Sequence, residues 1–172
     1  MNEPKPLAGH GARVWRLGAD VDTDALAPGH AMKHGMDTIA RYCLEQLRPD
    51  FAAGVRAGDV LVAGPNFGIG SSREQAASVL VALGVAAVIA PSYSGLYFRN
   101  AFNVGLLLLT CPQAGVLQED ELIAFDARTG CITRANGEPL SAEPIPDFLL
   151  TMAAAGGLLA QLQQSLISRK IP

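Results

Sequence analysis

Three short apolar runs without a charge, Val60–Ala63, Ala87–Ala90 and Leu106–Thr110, constrain the fold most. Runs of this kind suit strands covered on both faces. Between them lie Gln75–Leu83, an alanine-rich run of helical character closed by Gly84, and Tyr93–Asn103, a further helical turn or two. Strand and helix alternating over short connections imply a parallel sheet of right-handed βαβ units. Upstream, Ala12–Leu17 alternates apolar and polar residues and reads as another strand. From Cys111 the pattern changes. Leu122–Phe125, a turn at Ala127–Gly130 and Cys131–Thr133 read as an antiparallel hairpin. Pro139, Pro144 and Pro146 form a stiff connection, and Asp147 caps a last helix toward Ile167. Gly156-Gly157 predicts a kink there or two short helices. We read residues 1–172 as one domain, with residues 1–11 a loose N-terminus.

The first of the apolar runs delivers the chain to Asn66-Phe67-Gly68-Ile69-Gly70-Ser71-Ser72-Arg73-Glu74. Two glycines allow a sharp turn, and Ser71 with Glu74 has the S-x-x-E spacing of a capping box. A strand, a glycine turn and a helix N-terminus together favour an anion. Two hydroxyls and a guanidinium at that place point to a carboxylate. The spacing does not fit a P-loop, a dinucleotide fingerprint or a nucleophile elbow. Taken alone, Ser71 is equally a helix cap worth about 1 kcal/mol, and Arg73 a surface ion pair worth little.

Other candidates surround it. Asp20, Asp22 and Asp24 recur at every second position, but Ala25 and Ala31 stand where an EF-hand needs Gly and Glu. A turn whose Asp side chains bond nearby backbone N–H groups is the simpler expectation. His30, Lys33 and His34 occupy a loop between Gly29 and Gly35, suited to meeting an anionic ligand or merely solvated. Metal binding by the two histidines needs a helix that those glycines oppose. Met36–Leu47 reads as an amphipathic helix with Ile39, Tyr42, Cys43 and Leu47 near one face. Cys43, Cys111 and Cys131 are too few and too scattered for a disulfide framework or an iron–sulfur cluster, and read as buried thiols. With 172 residues, 49% of them hydrophobic, the chain can bury one sizeable core. A net charge of −3 suggests neither a nucleic-acid nor a membrane surface. The N-terminus lacks the apolar core of a signal peptide, so the expected setting is soluble and cytoplasmic.

The stretch from Asn66 to Glu74 resembles the N-F-G-x-G-S-S-R-E signature of the aconitase superfamily, in particular that of small, swivel-domain subunits of 3-isopropylmalate dehydratases. Gly18 through Pro28, with Asp22-Thr23-Asp24, resembles that family's D-x-D-T-D-x-x-x-P loop, and Ser92 through Asn103 its S-[FY]-x-x-[IL]-[FY]-x-R-N segment. Val60–Gly64 and Pro146-Asp147-Phe148 also fit its layout. Departures are Ile69 in place of Cys, Gln75 in place of His, and the loop His30–His34 in place of R-Y-L.

The resemblance implies a three-layer α/β swivelling domain with a mainly parallel central sheet, a C-terminal β-hairpin and a helix. It implies a hydro-lyase that isomerises 2-isopropylmalate and 3-isopropylmalate by dehydration and rehydration in leucine biosynthesis. Such a chain acts only with a large subunit, which holds a [4Fe–4S] cluster; this chain is expected to bind no cofactor or metal. The resemblance makes Ser71 the base and Asp24 the residue that orients the network, with Ser72 and Arg73 holding a substrate carboxylate. Lys33 falls where homoaconitase-type relatives place an Arg that chooses the substrate. The alternatives are the same chemistry on homoaconitate, a citrate-like acid or a methyl-substituted malate, and a non-catalytic carboxylate-binding module.

Overall fold

A computed structural model of the chain describes residues 4–169. The strands are β1 (Ala8–Arg16), β2 (Val60–Val62), β3 (Ala87–Ala90), β4 (Leu107–Thr110), β5 (Leu122–Asp126), β6 (Cys131–Thr133) and β7 (Pro139–Ser141). The helices are α1 (Thr23–Leu26), α2 (Met36–Tyr42), α3 (Phe51–Gly54), α4 (Gln75–Ala82), α5 (Gly95–Asn103), α6 (Asp147–Ala155) and α7 (Leu158–Arg169). All seven strands belong to one sheet in the order β4-β3-β2-β1-β5-β6-β7. The first four are parallel, in the registers Val14 to Val60, Leu61 to Val88 and Val88 to Leu108. Because these strands step across the sheet in one direction, right-handed crossovers put α2, α4 and α5 on the same face. There Ala76, Ala77, Val79 and Leu80 of α4 are buried. β2 and β3 are buried throughout, which is why charge-free runs mark them.

β5, β6 and β7 continue the sheet antiparallel on the other side of β1. Glu143, just past β7, donates its backbone N–H to Thr110 O of β4 at 2.8 Å. The two edge strands therefore meet there, and the sheet curls.

Several sequence expectations are corrected. The segment expected to be loose is tied down: β1 begins at Ala8, Leu7 is buried, and Lys5 N donates to Ala154 O. The expected hairpin forms from β5 and β6, and β7 adds a third antiparallel strand that the sequence reading lacked. Pro139 opens an edge strand, one of the few sheet positions that tolerates proline. The helix expected over Met36–Leu47 stops at Tyr42, because Leu44 takes φ +60° and gives its N–H to Ala25 O. That leaves Tyr42 and Leu47 exposed. Asp147 lies in the first turn of α6 but makes no side-chain cap bond; Pro146 holds the cap position. The glycine pair splits the C-terminal segment into α6 and α7, with Gly156 at φ +88°. Cys43 and Cys111 are buried as expected, whereas Cys131 is exposed on β6. Among the described residues no helix is long and apolar enough to cross a membrane.

Candidate active site

The loops after β1, β2 and β3 leave the same end of the parallel sheet and are bonded to one another through their backbones. Gly64 N donates to Gly18 O at 3.0 Å, Asp20 N to Pro65 O at 2.9 Å, and Gly68 N to Val21 O at 2.7 Å. Thr23 N reaches Ile69 O at 2.8 Å, while Phe67 N and Ser94 N exchange bonds with Ser92 O and Phe67 O. The carboxyl ends of parallel strands are where open α/β sheets place their ligands. Gly68 is required here on two counts. Its φ is +80°, and a side chain on it would overlap the buried ring of Tyr97. Asn66 joins the loops from the side, giving Nδ2 to Asp20 Oδ1 at 2.8 Å and its N–H to Ser92 Oγ at 2.9 Å.

The stitched loops bring Ser71, Arg73 and Asp24 into one bonded network. Arg73 Nε donates to Ser71 Oγ at 2.8 Å, and Arg73 Nη1 donates to Asp24 Oδ1 at 3.1 Å and to Ala27 O at 2.7 Å. Asp24 Oδ1 also accepts from Gly29 N at 3.1 Å. No described residue bonds Arg73 Nη2, so that edge of the guanidinium keeps its donors for a ligand. Ser71 and Ser72 are exposed. The capping box does not form. α4 starts at Gln75 with Glu74 at its cap position and no side-chain cap bond, so Ser71 stands outside the helix. Its hydroxyl points instead into contact with Thr23, whose Oγ1 is 3.0 Å away. The exposed Asp side chains do bond nearby backbone, as Asp22 Oδ1 accepts from Ala25 N at 2.7 Å.

Ser72 enters through its backbone: Asn100 Nδ2 of α5 donates to Ser72 O at 2.9 Å and fixes the turn from behind. Lys33 is outside the bonded network. It is exposed and makes no ion pair among the described residues. Its loop is tied to the site only at the start, through Gly29 and Asp24. His30 places Nε2 2.6 Å from Glu45 Oε1 and its ring edge-on to Tyr42. Thr23 was missed by sequence reasoning, although the Asp-Thr-Asp segment named it, a lone hydroxyl between two carboxylates.

Cluster ligation by this chain finds no support in its side chains. A cluster needs several thiolates in reach of one another. Burial pushes the Cys43 and Cys111 thiols up. Among the described residues no three His, Cys, Asp or Glu side chains are grouped to hold a metal ion.

The signature of the aconitase C-terminal domain matches residues 50–114, which include the glycine turn and α5. The 3-isopropylmalate dehydratase small subunit of Methanosarcina mazei is 41% identical over 160 residues, covering 92% of this chain and 98% of the relative. Small subunit 1 of Archaeoglobus fulgidus is 41% identical over 149 residues, covering 86% and 92%. The crystal structure of 3-isopropylmalate dehydratase from Methanocaldococcus jannaschii superposes with a TM-score of 0.86 at 34% identity, covering 96% of this chain and 99% of that one. On sequence over nearly the whole length, and on fold, the chain belongs to the 3-isopropylmalate dehydratase small-subunit family of the aconitase superfamily.

Proposed function

We propose that this chain is half of the active site of a hydro-lyase that interconverts 2-isopropylmalate and 3-isopropylmalate, with Ser71 as its base. The carrying observation is the 2.8 Å bond from Arg73 Nε to an exposed serine hydroxyl, at the carboxyl end of the parallel strands. A serine hydroxyl is too weak an acid to serve as a base unaided, and a guanidinium donor stabilises its alkoxide. The Ser71 alkoxide takes the proton from the carbon beside a substrate carboxylate. The electrons of that C–H bond become the second bond of an alkene as the hydroxyl departs from the neighbouring carbon. Hydration in the opposite sense returns the proton from Ser71 and puts the hydroxyl on the other carbon. Ser72 and the free edge of Arg73 hold the carboxylate, and Asp24 fixes the guanidinium through Nη1. The large subunit carries the [4Fe–4S] cluster and the groups that meet the departing hydroxyl.

Lys33 supports a second substrate. An exposed cation without an ion pair suits an acid with a further carboxylate, which an ammonium meets as a point charge.

The test is the complex with its large subunit, assayed on isopropylmalate and on a tricarboxylate, with Ser71→Ala beside it. Turnover of isopropylmalate, abolished in a folded Ser71→Ala complex, is the expected result. Turnover of the tricarboxylate alone transfers the assignment to the second substrate. Largely intact turnover in Ser71→Ala removes the serine from the mechanism.

A further inference from the structure

Thr23 is one of two polar or charged side chains buried among the described residues, with 2% of its surface exposed, and it lies against the most exposed part of the site. Its Oγ1 accepts the N–H of Ser71 at 3.0 Å and lies 3.0 Å from Ser71 Oγ. A hydroxyl has one hydrogen to give, and with Ser71 N–H on the acceptor side that hydrogen is left for Ser71 Oγ. While both hydroxyls are protonated, either can donate to the other. Once Ser71 loses its proton only Thr23 can donate.

We infer that Thr23 is a positioning residue that adds a hydroxyl donor to the pocket for the Ser71 alkoxide, beside Arg73 Nε at 2.8 Å and the longer bond from Arg73 N at 3.5 Å. The inference rests on Ser71 being the base. The pocket is set before any substrate arrives. Thr23 opens α1, which Asp22 caps through Ala25 N, and its backbone is held by Thr23 N to Ile69 O and by Ala27 N to Thr23 O. Gly70, at φ +106°, leaves room for the hydroxyl: a β-carbon there would stand 3.1 Å from Thr23 Oγ1. A serine in bulk water must orient solvent around its forming charge, whereas these donors are already in place around the oxygen.

The test compares Thr23→Val, Thr23→Ser and Ser71→Ala in the complex with its large subunit. Thr23→Val keeps the shape and removes both the donor and the acceptor of the Ser71 N–H, so kcat should fall about 100-fold, the lower range for one oxyanion donor, with KM within about threefold. Thr23→Ser restores the hydroxyl and should recover kcat to within about fivefold of the parent. A purely structural threonine would instead move KM and the melting temperature together. If Thr23→Val does not assemble, Thr23→Cys, with its weak donor, replaces it, and kcat near that of the parent overturns the inference. A silent Thr23→Val beside a dead Ser71→Ala removes only Thr23. An active Ser71→Ala removes the base, and this pocket with it.

Discussion

Replacing Arg73 separates what the guanidinium does for folding from what it does for catalysis. Its bond to Asp24 contributes little to stability, because 67% of the Asp24 side chain is exposed and such pairs are worth about 0–1 kcal/mol. Its bond to Ala27 O matters more, since Ala27 is fully buried and an unmet buried carbonyl costs about 1–3 kcal/mol. Arg73→Ala should therefore destabilise the chain by about 1–3 kcal/mol, at about 2–4 °C of melting temperature for each. Turnover should fall further, by about 100- to 1,000-fold, the effect of removing one donor from a developing oxyanion. Arg73→Lys is the sharper variant. It keeps the charge, but one ammonium cannot reproduce the fork that spans Ser71, Asp24 and Ala27. With the ammonium still meeting Ala27 O, the costliest bond to lose, its melting temperature should stay within about 3 °C of the parent, by the same scaling, while kcat drops at least about 30-fold. Steady-state kinetics of the complex and thermal melting of the chain measure the two effects. An Arg73→Lys complex within about threefold of parental kcat would refute the role given to Nε.

Two further predictions concern the scaffold. Asp59 Oδ2 accepts from Arg13 Nη2, Trp15 Nε1 and Arg56 N at 2.8, 2.8 and 2.9 Å. Burial raises its carboxyl, but those donors outweigh it and hold the carboxyl below its ordinary 3.8. A depressed carboxyl stabilises the fold above its ordinary pKa and loses that contribution as pH falls through the folded value. Asp59→Asn should cost about 2 kcal/mol in urea unfolding at pH 7, with the gap narrowing below about pH 4; an unchanged gap at pH 3 would count against the pairing. Gly68→Ala combines a positive φ with overlap on the Tyr97 ring and should cost about 3 kcal/mol or more. Gly115→Ala, with nothing within 4 Å of the new methyl, is the control, and equal melting temperatures for the two would contradict the packing.

β2, β3 and β4 were legible nearly to the residue because both of their faces are buried, which removes polar residues and leaves an unbroken apolar run. β7 was hidden by its proline, a residue that argues against a strand unless the strand is an edge. Met36–Leu47 carried a helical pattern that Leu44 breaks by pairing with Ala25, a tertiary bond that periodicity does not contain. Ser71, Arg73 and Asp24 could be named from their motifs, but the capping-box spacing assigned Ser71 the wrong local partner. Its actual partner, Thr23, is 48 residues away in the chain. Local rules cannot weigh a bond between two loops that meet only because β1 and β2 are neighbours.

The exposure of Ser71 bears on why such a chain should act only in a complex. At the 2.8 Å separation of Arg73 Nε from Ser71 Oγ, a unit charge stabilises an alkoxide by about 1.5 kcal/mol in bulk water. With an effective dielectric constant of 20 the same pair is worth about 6 kcal/mol. Drying also strips water from the alkoxide, so the larger attraction serves the base only because fixed donors replace that water. The small subunit supplies the donors and their geometry, but it leaves the oxygen wet. A partner surface that closed over Ser71, Ser72 and Arg73 would lower the dielectric around that bond. Docking of the large subunit would then be a chemical step in its own right, because it dries the site in which Arg73 and Thr23 can hold the charge.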